Sequence, residues 1–189
     1  MIELRDVTLA RGEKTILEHI SACLPDAGVV ALLGPSGSGK TTLLMLFAGL
    51  LAPAAGRFSG MEGKRVAIVF QEDRLVEHLS ALANIRLVLK KDVSDIDIQK
   101  QLAAVELEDE LIRKPVSQLS GGEKRRVTIV RAMMAESDFI CLDEPFKGLD
   151  AETKEKVMEY VKRNVDGKTV LLITHDIGEK QFFGGDFIG

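Results

Sequence analysis

The stretch "GVVALLGPSGSGKTT", residues 28–42, decides how the rest of this chain is read. It opens as an apolar run closed by glycine, the pattern of a strand buried on both faces. Gly34 to Thr42 then fits G-x-x-x-x-G-K-[ST], with Gly34, Gly39, Lys40 and Thr41 in the fixed places. A strand before the turn and a helix opening near Gly39 are the setting this pattern requires. Backbone N–H groups must converge there on phosphate oxygens, and side chains would block the approach. The helix N-terminus adds partial positive charge. Gly34, Pro35, Ser36, Gly37, Ser38, Gly39, Lys40, Thr41 and Thr42 are therefore read as the phosphate site of a nucleoside triphosphate. Lys40 would reach the β- and γ-phosphates, and Thr41 would offer its hydroxyl to Mg2+. Kinases, GTPases, helicases and transport ATPases share such a loop, so it leaves the use of the triphosphate open.

Two further apolar runs end in groups that suit hydrolysis. "FICLDEP", 139–145, carries Asp143 and Glu144 at its end. Asp143 is expected at the sheet edge beside the phosphate loop, where it can hold Mg2+. Glu144 points elsewhere and can polarise an attacking water as general base. An isolated Asp-Glu pair at a strand end more often only solvates a turn; the phosphate loop in the same chain favours the catalytic reading. "RVAIVFQ" ends in Gln71, whose amide oxygen suits the metal. "TVLLITH" ends in His175, placed to donate to the γ-phosphate on a strand expected close to that of Glu144; His19 and His78 read as structural.

Strands alternating with helices predict an α/β fold with a mainly parallel sheet. "IELRDVTL" and "KTILEHISACLP" read as an antiparallel pair with Gly12 in the turn. From Leu79 to Ile112 the pattern is helical, with Ser94 and Asp97 as a capping box before "IQKQLAAVELEDELI". "LLMLFAGLLAPAA", 43–55, falls short of the ~20 residues a bilayer needs and contains Pro53, so a buried helix is expected. The first residues carry charge and no apolar leader, so any membrane contact is expected through a partner. A length of 189 residues suits one domain, and a net charge of −4 argues against nucleic acid. Cys23 and Cys141, far apart in sequence, read as buried thiols in a reducing cytoplasm.

A second glycine-rich segment, "QLSGGEKRR", 118–126, raises the question of why one small chain carries two. Ser120 and Glu123 form S-x-x-E, a capping box for a helix running through "KRRVTIVRAMMA". The local reading is that Gly121 and Gly122 only ease the chain into that helix. A serine with bare N–H groups at a helix start is also a phosphate site, one that a second copy of the chain could supply.

Taken in order, "GPSGSGKTT", Gln71, "LSGGE", "ICLDEP", "GLD" and "ITHD" resemble the nucleotide-binding subunit of ABC transporters over nearly the whole chain. The resemblance implies a P-loop NTPase fold in a single ABC ATPase domain, 1–189. Its core would be 1–70 and 120–189, with an N-terminal antiparallel β part, and its helical insert lobe about 71–119. It implies hydrolysis of Mg-ATP and head-to-tail pairing with a second copy, a homodimer. Ser120, Gly121, Gly122, Glu123 and Asp150 of one copy would then close on the ATP held by Lys40 of the other. It also implies integral membrane permease subunits, an extracytoplasmic solute-binding protein, and a cytoplasmic place on the inner face of the membrane. "QEDRLVEHLSALANI" further resembles nitrate, sulfonate and taurine importers, in which Glu72 to Leu79 would face a short helix of the permease.

The chain departs from the family pattern in three places. Arg11 stands in "TLARGEK" where an aromatic usually stacks on adenine. The chain is short after His175, which leaves the outer edge of the core thinly covered. "PFKGLD" puts Lys147 near the expected interface, where a solvated lysine is the bland reading, as it is for Lys124, Arg125 and Arg126. The competing functions are a soluble ABC ATPase acting on DNA or ribosomes, a small-molecule kinase, a non-hydrolysing cassette and an exporter subunit. The first lacks its coiled-coil insert or second cassette here, and a kinase has no use for "LSGGE". Intact Lys40, Glu144 and His175 argue against a silent cassette; an exporter's cassette is usually fused to membrane helices, which this sequence does not contain, though separate-subunit exporters exist.

Overall fold

The computed structural model describes residues 1–35, 37–165 and 167–185. In chain order the elements are β1 (Ile2–Arg11), β2 (Lys14–Leu24), β3 (Gly28–Leu33), α1 (Lys40–Phe47), β4 (Ala55–Ser59), β5 (Val66–Val69), α2 (Ala81–Arg86), α3 (Asp95–Ala103), α4 (Asp109–Ile112), a 3-10 turn at Val116–Gln118, α5 (Gly121–Met134), β6 (Phe139–Asp143), α6 (Ala151–Arg163), β7 (Thr169–Thr174) and α7 (Ile177–Phe183). They pack as two compact units. One holds Met1–Ile68, Ser137–Glu144 and the described part of Val165–Gly189; the other holds Val69–Glu136 and Pro145–Asn164.

In the first unit, β2-β1-β4 form an antiparallel sheet, and a second sheet runs in the order β3-β7-β6-β5. β7 pairs in parallel with β3 on one side and β6 on the other, with Thr169 opposite both Gly28 and Phe139. Every residue of β6 and β7 is buried, which explains why these runs are continuously apolar rather than alternating. Phe47, at the end of α1, stacks on Phe139 of β6 at 5.3 Å and meets Phe58 of β4 edge-on at 5.4 Å. One ring thus ties the parallel sheet to the antiparallel one.

The expected helix over 43–55 is cut short. Leu43, Leu44, Leu46 and Phe47 are buried as the apolar run requires. Gly49, φ 70, then turns the chain: its N–H donates to Leu46 O, and that of Leu50 to Met45 O. This pair of bonds is a Schellman stop. The chain behind it becomes β4, which the sequence reading did not separate. No helix of the described residues is long and apolar enough to cross a membrane.

Cys141 is buried in β6, but Cys23 is exposed, against the expectation of two buried thiols. β2 is an edge strand. Its alternation turns Ala22 and Leu24 inward and leaves Cys23 facing out. The edge of β3 is covered better than the short chain suggested. α7 packs on β3 and β7, and Gly185 O accepts a hydrogen bond from Ala31 N–H.

In the second unit, α5 packs against α2, α3 and α6. Packing therefore groups α5 and α6 with the helices of 71–119, whereas the sequence reading grouped them with the sheet. The helix expected through "IQKQLAAVELEDELI" is broken in two. Glu106, φ 59, closes α3 with bonds from its own N–H to Ala103 O and from Leu107 N–H to Leu102 O. α4 follows as a separate turn.

Candidate functional site

The first unit builds a phosphate cradle from β3, α1, β6 and β7. Gly37 and Gly39 have φ of 83° and 90°, where side chains are disfavoured. At Gly39 a Cβ would also lie 2.8 Å from the Leu17 side chain, so β2 packs directly against the loop. Gly39 caps α1 with no side-chain hydrogen bond. The N–H groups of the first turn are left for a ligand. Lys40 Nζ lies folded over the loop, donating to Gly34 O at 2.6 Å and Pro35 O at 2.7 Å. Ser36 lies outside the described residues. Thr42 follows Thr41 in the first turn of α1.

Thr41 Oγ1 sits 3.4 Å from Asp143 Oδ2. Asp143 is only 5% exposed at the end of β6, so the strand delivers a carboxylate to the helix that follows the loop. It also raises the already desolvated thiol of Cys141, two residues back on the same strand. Among the described residues no three His, Cys, Asp or Glu converge as a metal cluster. Mg2+ is usually held by one or two protein oxygens with phosphates and waters completing its shell, so Thr41 and Asp143 fit it without such a cluster.

Glu144 breaks from β6 with φ 48, a left-handed conformation that costs a non-glycine residue about 1–3 kcal/mol. Its N–H still bonds Ile173 O at 2.9 Å, which anchors it to β7. The carboxylate meets His175 Nδ1 at 2.8 and 2.7 Å through its two oxygens, with the glutamate largely buried and the imidazole exposed. Two side chains expected on neighbouring strand ends are thus in contact.

The sequence reading missed the groups that brace His175. Thr174 Oγ1 donates to the buried Glu179 at 2.5 Å and accepts from Asp176 N–H at 3.0 Å. Asp176 in turn caps α7 through Gly178 N–H at 2.7 Å. The signal was the D-x-x-E spacing of Asp176 and Glu179, a capping pattern just after His175.

In the second unit the capping box at α5 is complete. Ser120 Oγ accepts from Glu123 N–H at 3.3 Å, and Glu123 Oε2 accepts from Ser120 N–H at 2.7 Å. Neither Gly121 nor Gly122 has a positive φ. A Cβ on Gly121 would meet nothing within 4 Å, and one on Gly122 only ordinary contacts with Leu149 and Gly148. The chain's own packing therefore does not require glycine at either position. Gln71, Gly121, Gly122, Lys147 and Gly148 line one cavity of about 500 Å3. Asp150 caps α6, accepting from Thr153 N–H at 3.0 Å, and that bond holds its carboxyl below the usual range.

The basic run is not a uniformly solvated face. Arg125 is 5% exposed and donates to Phe70 O at 2.7 Å and to Gln71 O. Arg126 donates to Val105 O and Glu106 O, where α3 ends. Guanidinium groups have enough donors to satisfy several carbonyls in irregular backbone, which a lysine cannot do as well.

Arg11 is exposed at the end of β1 and pairs with Lys14 across a two-residue turn in which Gly12 has φ 61. If this strand end covers the base, Arg11→Tyr is expected to tighten ATP binding by about 1 kcal/mol, roughly fivefold. The gain should be smaller for ribose triphosphate, which has no base. Fluorescence titration of both proteins checks this; equal or weaker ATP affinity in the Tyr variant means that Arg11 does not carry the base.

Comparison with known proteins bears on the family and the fold. The family model described as ABC transporter matches residues 17–147. The chain is 37% identical over 180 residues to the aliphatic sulfonates import ATP-binding protein of Paracoccus denitrificans (strain Pd 1222), covering 94% of this chain and 74% of that protein. It is 39% identical over 187 residues to the taurine import ATP-binding protein of Pseudomonas fluorescens (strain Pf0-1), covering 92% and 70%. A dimeric ATP-binding cassette solved in a post-hydrolysis state with ADP and Pi superposes with a TM-score of 0.84 at 29% identity, covering 100% of this chain and 97% of that one. On its motifs, its fold and these likenesses, the chain belongs to the ABC transporter family as an ATP-binding, ATP-hydrolysing subunit.

Proposed function

We propose that two copies of this chain pack head to tail and drive solute import through separate integral membrane permease subunits, with an extracytoplasmic solute-binding protein delivering the solute. The chain would then lie on the cytoplasmic face of the membrane, held there by the permease. The 1–189 domain works as one ATPase, with the phosphate loop, Asp143, Glu144 and His175 in the first packing unit and Gln71 and the start of α5 in the second. The observation that carries the reading is the pair Gly121 and Gly122: they have ordinary φ, and their own fold leaves space for a side chain. Bare backbone there serves something outside the unit, and the ATP of a second copy fits. In this reading Ser120, Gly121, Gly122, Glu123 and Asp150 act in trans.

The roles in hydrolysis follow. The loop from Gly34 to Thr42 binds the phosphates, and Lys40 exchanges its carbonyl partners for phosphate oxygens. Thr41 and Asp143 would hold Mg2+, with Gln71 assigned to the metal by the family resemblance alone, and the ion would supply neutralisation of phosphate charge. Glu144 accepts a proton from water as the water oxygen bonds to the γ-phosphorus and the bond to the β,γ-bridging oxygen breaks. His175, fixed by Glu144 and by the braced turn at Thr174, donates to the γ-phosphate. The strain at Glu144 fits this role, since it turns the carboxylate out of the strand toward the histidine.

The test is phosphate release by the purified chain. ATP turnover that requires Mg2+ and is abolished by EDTA is expected. Turnover unaffected by EDTA contradicts the metal assignment. No turnover, either alone or with the co-expressed permease, contradicts the proposed function.

A further inference from the structure

Segment 70–80 leaves β5 and, apart from a single bridge at Ser80, has no regular secondary structure before α2. Its carbonyls are instead gripped by side chains. At one end Arg125, whose side chain is 7% exposed, donates to Phe70 O and Gln71 O and places Nε 3.2 Å from Asp73 Oδ1. One turn along α5, Thr128 is buried; a further turn along, Arg131 donates to Arg74 O at 2.8 Å. Positions 125, 128 and 131 form one stripe of the helix. At the other end Asn84, fully buried, accepts from Val76 N–H and donates to the carbonyls of Val76, Leu79 and Ser80.

Burying a guanidinium and a carboxylate is costly unless their donors and acceptors are used. Burial raises the Asp73 carboxyl, with Arg125, Lys124, Thr128 and Arg131 pulling the other way. Burial lowers Arg131, and Asp73 opposes it. A solvated turn would need none of this. What the arrangement gains is rigidity between α5 and the residue that leaves β5.

We propose that Arg125 and Asp73 clamp segment 70–74 to α5, so that Gln71 and the phosphate-binding start of α5 at Ser120 move as one body. Arg125 is then a positioning residue for hydrolysis: it touches no substrate and sets where Gln71 lies. This rests on the roles given above to Gln71 and Ser120.

Arg125→Gln is expected to lower kcat for ATP about 10-fold or more while KM stays within about threefold. Arg125→Lys, which keeps the charge but cannot fork across two carbonyls, should recover part of the loss. Hydrogen exchange should quicken about 10-fold in peptides spanning 70–76 and stay unchanged over β7. A merely structural role would lower kcat, affinity and melting temperature together, with no partial rescue by lysine, and that result overturns the proposal. So does unchanged exchange at 70–76, or faster exchange with unaltered kcat. Should Arg125→Gln fail to fold, Asp73→Asn, which removes charge and keeps shape, carries the same readouts. If the parent chain shows no ATPase activity, the proposed function fails. Exchange at 70–76 then still decides the clamp: faster exchange in the variant supports it and unchanged exchange overturns it.

Discussion

Glu144→Gln is expected to reduce steady-state ATP hydrolysis by about 100-fold or more, within the range for loss of a general base. ATP binding should change little. Glutamine keeps the size of the side chain and an oxygen for the imidazole, so the contact with His175 at 2.7–2.8 Å can persist. The backbone at φ 48 and the bond to Ile173 O do not depend on the charge. Only proton acceptance from water is removed. Phosphate release and ATP titration on the same preparation separate the two effects. Turnover near that of the parent removes Glu144 from the role.

Ser120→Arg should also depress turnover by about 100-fold, because one donor to developing phosphate charge is worth 10²–10³ in rate and a bulky side chain blocks the site as well. Its cost to folding is far smaller. Losing the cap on α5 removes about 1 kcal/mol, a shift of a few degrees in melting temperature. Ser120→Asp separates the two effects, since it keeps the cap yet sets a carboxylate against phosphate. A folded Ser120→Asp protein that is nearly inactive supports a phosphate at α5. Activity close to that of the parent in Ser120→Asp assigns the serine to capping alone.

How much of this was legible depends on the kind of signal. The phosphate loop was readable because its chemistry needs bare backbone at fixed spacing, and β6 and β7 because strands buried on both faces must be apolar throughout. The stop at Gly49 had a signal, a glycine, that was lost inside an apolar run. The break at Glu106 had none: a non-glycine residue takes a left-handed φ there, where Arg126 donates to its carbonyl and Lys156 to its carboxylate. Arg125 looked like surface charge, since three basic residues in a row usually face water. Its burial follows from irregular backbone 55 residues away, which no local pattern reports. Cys23 was misjudged because edge strands were not distinguished from central ones. The contact between Glu144 and His175 required knowing that β6 and β7 are neighbours, which the order of elements only suggested.

The central claim is that the two glycine-rich segments serve one ATP from two copies of the chain. Sedimentation of Glu144→Gln over a range of concentrations, with and without ATP, tests it most directly. The account predicts monomer without ATP, a shift to dimer with ATP, and loss of that shift when Ser120→Arg is added. A dimer that forms equally without ATP and in the Ser120→Arg protein, or a monomer at every concentration with ATP bound, would contradict it.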